Sequence, residues 1–378
     1  MLTDDTDALL RLVAADGPAA PRRQLLETHP GPVAALAAGA TTWRAAGCRE
    51  EQVAQLRRPD AARIDAARDW LAAPGHHLVG WQDPDYPPLL RRVANPPLAL
   101  FVAGDPACLW HPAVAVVGSR AATAGGLANA RDFAGALAAA GFAVASGMAA
   151  GIDTAAHEAT LAGAGLTVAV LGTGPDIVYP RANRELHARI AASGAVVSEH
   201  LPGTGPLREH FPSRNRILAG LALGTLVVEA ALRSGALITA REAAEAGREV
   251  FAVPGSIHNP MARGCHRVLR EGATLVESAA EVIGALAPLA AELGTALRAR
   301  LAQAGDASEA HDTGPTDASA SLAPEYQRLW DALGHDPTGM DELSLRTALT
   351  PAELSSMLLV MELEGRVAHA HGRYSRKR

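Results

Sequence analysis

FPSRNRILAGLALGTLVVEAALRSGALITAREAAEAGREVFAVPG, residues 211–255, is the stretch whose reading decides the fold. Its centre, Gly224 through Glu229, is a short apolar strand ending in a carboxylate, and Ser234-Gly235-Ala236 then opens an alanine-rich helix. A strand that feeds a helix through a Gly/Ser turn leaves backbone N–H groups free at the helix start, and these attract phosphate. Arg214, Arg216 and Arg233 stand in the polar segments on either side of the strand, which places positive charge at the edge of a sheet. Arg214 and Arg216 flank Asn215 just ahead of an apolar helix predicted at 217–223. A helix dipole disfavours cations at that end, and a bound anion would offset the conflict.

Two earlier segments repeat the pattern. Residues 113–117 are an apolar strand broken by Gly118-Ser119-Arg120, with Thr123, Gly125 and Gly126 before another alanine-rich helix. Residues 142–153 do the same, with Ser146 and Gly147 at the turn and Asp153 placed to cap the helix that carries His157. Further apolar strands are predicted at 167–171, 195–198 and 249–253. Strands alternating with helices imply an α/β fold with a parallel, doubly wound sheet, which binds ligands at the carboxyl ends of its strands.

The ordered motifs VVGSR (116–120), SGMAAGID (146–153), YPRAN (179–183), SEHLPG (198–203), FPSRNRILAGL (211–221), VVEAALRSGALITA (227–240) and FAVPG (251–255) resemble those of the DNA-processing protein A family, also called Smf. The resemblance runs from Trp81 to about Val282. It implies an extended Rossmann-like domain that binds single-stranded DNA, forms a homodimer and helps load the RecA recombinase during natural transformation, with no catalytic turnover. Carried onto this chain, the single-strand site would comprise Gly118, Ser119, Arg120, Ser146, Gly147, Met148, Arg181, Asn183, Arg214, Asn215, Arg216, Ser234 and Gly235. The chain departs from the pattern at Gly264-Cys265-His266, where the family is expected to favour asparagine after Gly-Cys.

Around this core the chain divides further. Residues 1–72 read as short helices separated by Gly17-Pro18, Pro30-Gly31-Pro32, Gly39 and Gly47, with Leu9, Leu10, Leu12 and Val13 at helical spacing. The family resemblance implies a sterile-alpha-motif-like module there. Residues 73–110 are proline-dense and predicted to be extended and pinned on the next domain. The α/β core is assigned to 111–288, and 289–321 to a flexible linker, because 304–321 lack large apolar residues. Residues 322–378 read as three helices, near 326–333, 340–347 and 351–363, followed by a hairpin and a basic tail. That describes a winged helix, with the tail either a solubilising end or a DNA contact.

Composition bounds the function. At 378 residues two to three domains are expected. The formal charge of −6 gives no whole-molecule attraction for nucleic acid, so binding needs a local basic patch. Cys48, Cys108 and Cys265 are widely spaced without a CxxC pair, which speaks against a disulfide framework or a zinc site and fits a reducing cytoplasm. Neither a leader nor a run of about 18 apolar residues is read, so no membrane association is expected.

Rival chemistries find less support. Asp153 and His157 lie at i and i+4, but no third ligand is spaced to complete a metal site. His258 and His266 near Cys265 lack metal-ligand spacing. Ser146 has no GxSxG elbow, and neither GxxxxGK[ST] nor a GxGxxG follows the first strand, so no cofactor is expected. In the loop 179–184, Arg181 can reach a phosphate, Asn183 a base or sugar, and Tyr179 can stack on a base or pack beside its proline. The alternative class is a nucleotide enzyme. Gly224-Thr225 through Glu229 is similar to the GGxGTxxE signature of lysine-decarboxylase-like phosphoribohydrolases, but the leading glycine pair is absent, as Leu221-Ala222-Leu223 precedes Gly224. Glu229 is expected instead to order loops by accepting hydrogen bonds from arginine or backbone N–H groups.

Overall fold

The computed structural model describes residues 3–309 and, beyond them, 329–330, 332–333, 338–347, 349, 354, 358, 361, 367–370 and 373–376. Apolar runs 113–118 and 224–229 become neighbouring strands because both of their faces are covered, so each can be apolar throughout. The full sheet contains β1 (His76–Gly80), β2 (Ala99–Gly104), β3 (Ala113–Gly118), β4 (Ala143–Ser146), β5 (Thr167–Val170), β6 (Ala195–Ser198), β7 (Gly224–Glu229), β8 (Glu249–Ala252) and β9 (Thr274–Leu275). Their spatial order is β1-β2-β6-β5-β4-β3-β7-β8-β9. β1 and β2 pair antiparallel, as do β2 and β6, and every other neighbouring pair is parallel.

The side chains of β3 alternate between two cores. Ala113, Ala115 and Val117 join one cluster with Ile217, Leu218 and Ala240, while Val114 and Val116 join another with Phe133, Leu137 and Ile152. The covering helices are α8 (Ala124–Ala139), α9 (Ile152–Ala162), α10 (Arg184–Ser193), α11 (His210–Leu221), α12 (Ala236–Glu245) and α13 (Arg263–Arg270). From β3 the chain passes through β4 and β5 to β6; α11 then carries it back to β7, on the other side of β3. The crevice above β3 and β7 is therefore the topological switch point, where doubly wound sheets bind ligands.

The N-terminal module comprises α1 (Asp4–Ala14), α2 (Ala19–Thr28), α3 (Pro32–Ala37), α4 (Gly39–Ala45), α5 (Glu50–Arg57) and α6 (Ala61–Leu71). Its core is continuous with the sheet, since Leu10, Leu25, Trp43 and Leu56 share one cluster with Leu98, Phe101 and Leu201. The buried Arg22 stops α1 by donating to the carbonyls of Leu12 (2.6 Å), Val13 (3.1 Å) and Gly17 (2.7 Å). Residues 73–110 do more than lean on the next domain. They supply β1, the short helix α7 (Pro88–Arg91) and β2, whose apolar residues 99–103 are buried and paired with β6.

Helix α14 (Ala279–Glu309) corrects the start of the expected linker, because residues 289–309 continue one helix. Leu286 is buried and Ala290 and Leu293 pack on the same cluster, so a helical apolar stripe persists beyond the last strand. The remainder of that expectation, 310–321, lies outside the described residues. Met1–Ala304 form one compact unit and Gly305–Arg378 another. In the second, β10 (Thr338–Gly339), β11 (Val367–Ala370) and β12 (Arg373–Arg376) form an antiparallel sheet in the order β10-β12-β11, with a helix at Met340–Thr347. Leu329, Leu333, Leu343, Leu354, Leu358, Met361 and Val367 make its core. Residues 373–376 are thus a paired strand and not a free tail. The helix expected at 351–363 lies largely outside the described residues. Among the described residues no helix is long and apolar enough to cross a membrane.

Candidate functional site

A cavity of about 570 Å³ opens at the switch point, between the loops after β3, β4 and β7 and the first turns of α11 and α12. Gly118 lets the loop after β3 pack tightly on the core, because a Cβ there would stand 2.5 Å from Ile152 Cγ1 and 2.8 Å from the Glu229 carbonyl. Ser119 N–H donates to the Glu229 carbonyl at 2.7 Å, and Ser119 Oγ accepts from Ala121 N–H at 3.1 Å. That pins the loop and leaves Arg120 exposed, with its guanidinium 5.8 Å from the centre of the Phe211 ring. Phe211 in turn lies 5.3 Å from the ring of Tyr179, which is 45% exposed. Arg208 and Arg233 are exposed on the same lining, and Arg214 is buried within it. Asn215 donates to the Gly235 carbonyl at 3.3 Å, while Ser234 Oγ accepts from Ala236 N–H at 3.3 Å at the start of α12.

The predicted site residues divide by position. Gly118, Ser119, Arg120, Arg214, Asn215, Ser234 and Gly235 line the cavity together. Ser146, Gly147, Met148 and Asn183 lie behind it. Ser146 Oγ donates to the Val116 carbonyl at 2.7 Å, Met148 is fully buried at φ +63°, and Asn183 Nδ2 donates to the Met148 carbonyl at 2.9 Å. Arg181 is exposed in the turn 181–183 and lies outside the lining. Arg216 faces away, since it forms a two-point pair with Glu199 at 2.7 and 2.6 Å and donates to the Asn95 carbonyl. The structure therefore does not bring Arg216 into one pocket with Arg120. The reason is helical phase. α11 begins at His210, so 211, 214, 215 and 218 face the cavity and 213 and 216 face the opposite way. Arg208 and Phe211, absent from the expected site, line the cavity as well: Phe211 lies one turn before Arg214 and Asn215 on the same face of α11, and Arg208 stands in the turn just ahead of that helix.

Asp153 also takes a different role from the expected cap. Gly151, at φ +81°, occupies the N-cap of α9, and the Asp153 carboxylate accepts from Gly147 N–H (3.1 Å) and Ala149 N–H (3.3 Å), tying down the loop after β4. Burial pushes this carboxyl up, and the Arg214 guanidinium and the two N–H donors oppose the rise. Arg214 is itself lowered to about 10 by burial, with Asp153 supporting its charge, and it donates to the Val170 carbonyl at 2.7 Å. Gly147 leaves the room for that guanidinium, which a Cβ would strike. His157 is fully buried, its Nδ1 is 2.7 Å from Thr167 Oγ1, and burial drops it to about 3.

Glu229 accepts from Thr123 N–H (2.8 Å), Thr123 Oγ1 (2.8 Å) and Asn259 Nδ2 (3.2 Å). It orders loops as expected, through backbone and neutral donors and without arginine. His266 Nε2 lies 2.9 Å from the Gly255 carbonyl. Among the described residues no cluster of His, Cys, Asp and Glu could hold a metal ion.

A family model described as DNA recombination-mediator protein A matches residues 77–287, and one described as DprA winged helix domain matches residues 313–373. Protein Smf of Escherichia coli (strain K12) is 40% identical over 320 residues, covering 83% of this chain and 81% of its own length. DNA processing protein DprA of Streptococcus pneumoniae is 42% identical over 237 residues, covering 63% of this chain and 83% of its own. The X-ray structure of DNA processing protein A from that organism superposes with a TM-score of 0.65 at 37% identity, covering 72% of this chain and 95% of that one. A structure of DNA processing protein A from Helicobacter pylori, solved for its single-stranded DNA binding mode, gives a TM-score of 0.51 at 26% identity and covers 56% of this chain and 96% of that one.

Proposed function

Because this chain belongs to the DNA recombination-mediator protein A family, also called Smf, and has the DNA-processing role of that family, we propose that it binds single-stranded DNA in the switch-point cavity and acts without catalytic turnover. In this reading it is a cytoplasmic homodimer that protects incoming strands and helps load RecA during natural transformation. The observation that carries the reading is the grouping of exposed Arg120, Arg208 and Arg233 around Phe211. Among the described residues no ion pair takes any of the three, so their charge is available to phosphates, and the ring offers a face to a base. Arg214 supplies positive potential from the floor, and Ser146, Gly147, Met148 and Asn183 hold the loop that shapes it. Arg181, exposed and outside the lining, has its place on the approach to the cavity, whereas Arg216, paired with Glu199 on the far side of α11, is left out of the strand's path.

Fluorescence anisotropy of labelled oligo-dT against matched duplex, across a salt series, tests this. Three arginine–phosphate contacts give a slope of about −2 in log affinity against log salt, at about −0.7 per contact. Arg120→Glu is expected to abolish tight binding to the single strand. Equal binding to both forms, or an unchanged affinity in the variant, would remove the site from this cavity. The phosphoribohydrolase alternative is disfavoured by Glu229, whose carboxylate is already taken by Thr123 and Asn259. Release of free base from nucleoside monophosphates would restore it.

A further inference from the structure

A second cavity, of about 470 Å³, lies between the N-terminal helices and the sheet, on the far side of α11. We propose that it is a nucleotide site, taking one phosphate-bearing nucleotide unit with its base against His200 and His210 and its phosphate toward Arg22 and Arg63. The inference stands independently of the reading of the switch-point cavity.

The size suits such a ligand, since small-molecule sites run from about 300 to 1,000 Å³ with a few convergent polar groups. His200 and His210 line the cavity as a stack, with ring centres 3.8 Å apart and planes 15° from parallel. Imidazole faces are among the surfaces on which bases stack. Burial lowers His200 to about 4, so at neutral pH its ring is uncharged, with one donor and one acceptor nitrogen. His200 Nε2 and His210 Nδ1 are buried and meet no partner in the protein, and the same holds for Nε of Arg22. Buried polar atoms are nearly always partnered, and the three side chains that carry these line a single cavity.

Charge points the same way. Arg63 pairs with Asp16 at 2.7 Å and Arg216 with Glu199 at 2.6 Å. Arg22, only 4% exposed, is left with carbonyl acceptors alone, so the lining carries one guanidinium in excess of its carboxylates. A phosphate oxygen is the complementary group. Leu98, Leu201 and Leu207 give the wall an apolar part for the sugar and the base edge.

The nucleotide unit could come from a free mononucleotide or from a strand, and one experiment separates the sources. The full chain, with its histidine rings labelled for NMR and His200→Gln and His210→Gln assigning the signals, is titrated with deoxythymidine monophosphate and then with oligo-dT. The monophosphate is expected to shift both ring signals to saturation. Arg63→Glu, at a side chain 37% exposed and thus tolerant of change, is expected to weaken that binding about tenfold, the loss of one charged hydrogen bond. Shifts produced by oligo-dT alone, and persisting in Arg120→Glu, would assign the unit to a strand. Ring signals unmoved by either probe, or moved equally in Arg63→Glu, would overturn the proposal.

Discussion

Arg120 and Arg214 share one cavity and do opposite kinds of work. Arg120 is exposed and its charge faces the solvent side of the crevice, so Arg120→Glu is expected to leave the urea unfolding midpoint where it is while removing binding. Arg214 is 5% exposed, bonded to the Val170 carbonyl and electrostatically joined to the buried Asp153. Removing it leaves Asp153 without its compensating charge, and Arg214→Ala is expected to cost about 3 kcal/mol in a urea titration. The two residues look alike in the sequence because residue type carries no burial. Both stand beside turns that precede apolar runs, and only the helical phase of α11 sends one inward. Asp153 is a similar case: its type and position fit a cap, and its actual task, receiving Gly147 and Ala149 N–H groups, depends on Gly151 taking positive φ.

At the level of elements, β3 to β8 were legible because each is a short, largely apolar run followed by a loop that carries Gly or Ser, whereas β9, two exposed residues at Thr274–Leu275, offers no such run. The start of α11 was not, since His210-Phe211-Pro212-Ser213 reads as a break. A proline in the first turn of a helix, however, has no intrahelical acceptor for the N–H it lacks. α14 escaped for the opposite reason, as its alanine-rich later turns resemble a linker in composition while continuing a helical stripe. The loop after β4 offers the sharpest test of element-level packing. Gly147→Ala places a methyl group against the Arg214 guanidinium. The expected result is a loss of about 2 kcal/mol from overpacking, together with weakened oligo-dT binding as the cavity floor shifts. Unchanged unfolding and binding in Gly147→Ala would show that the guanidinium is free to move.

For the whole molecule, the buried histidines set the response to acid. His157 is held near 3, against an ordinary value of about 6.5, so it stays neutral in the folded protein where the unfolded chain is protonated. Its contribution is complete above about 6.5 and declines as pH falls toward 3, by up to about 1.4 kcal/mol per pH unit. His200, lowered to about 4, acts in the same direction. Urea midpoints are expected to fall between pH 7 and pH 5, and a flat profile there would contradict the burial. The order of strands has a different consequence, for where the chain can be shortened. β6 is flanked on one side by β2, which comes from residues that look like a lead-in to the core. A shortened chain beginning at residue 111 would leave β6 as a bare edge, with its N–H and C=O groups open to other copies. Such a fragment is expected to elute from size exclusion as high-molecular-weight aggregate, whereas one that keeps residues 76–104 retains the strand that ends the sheet.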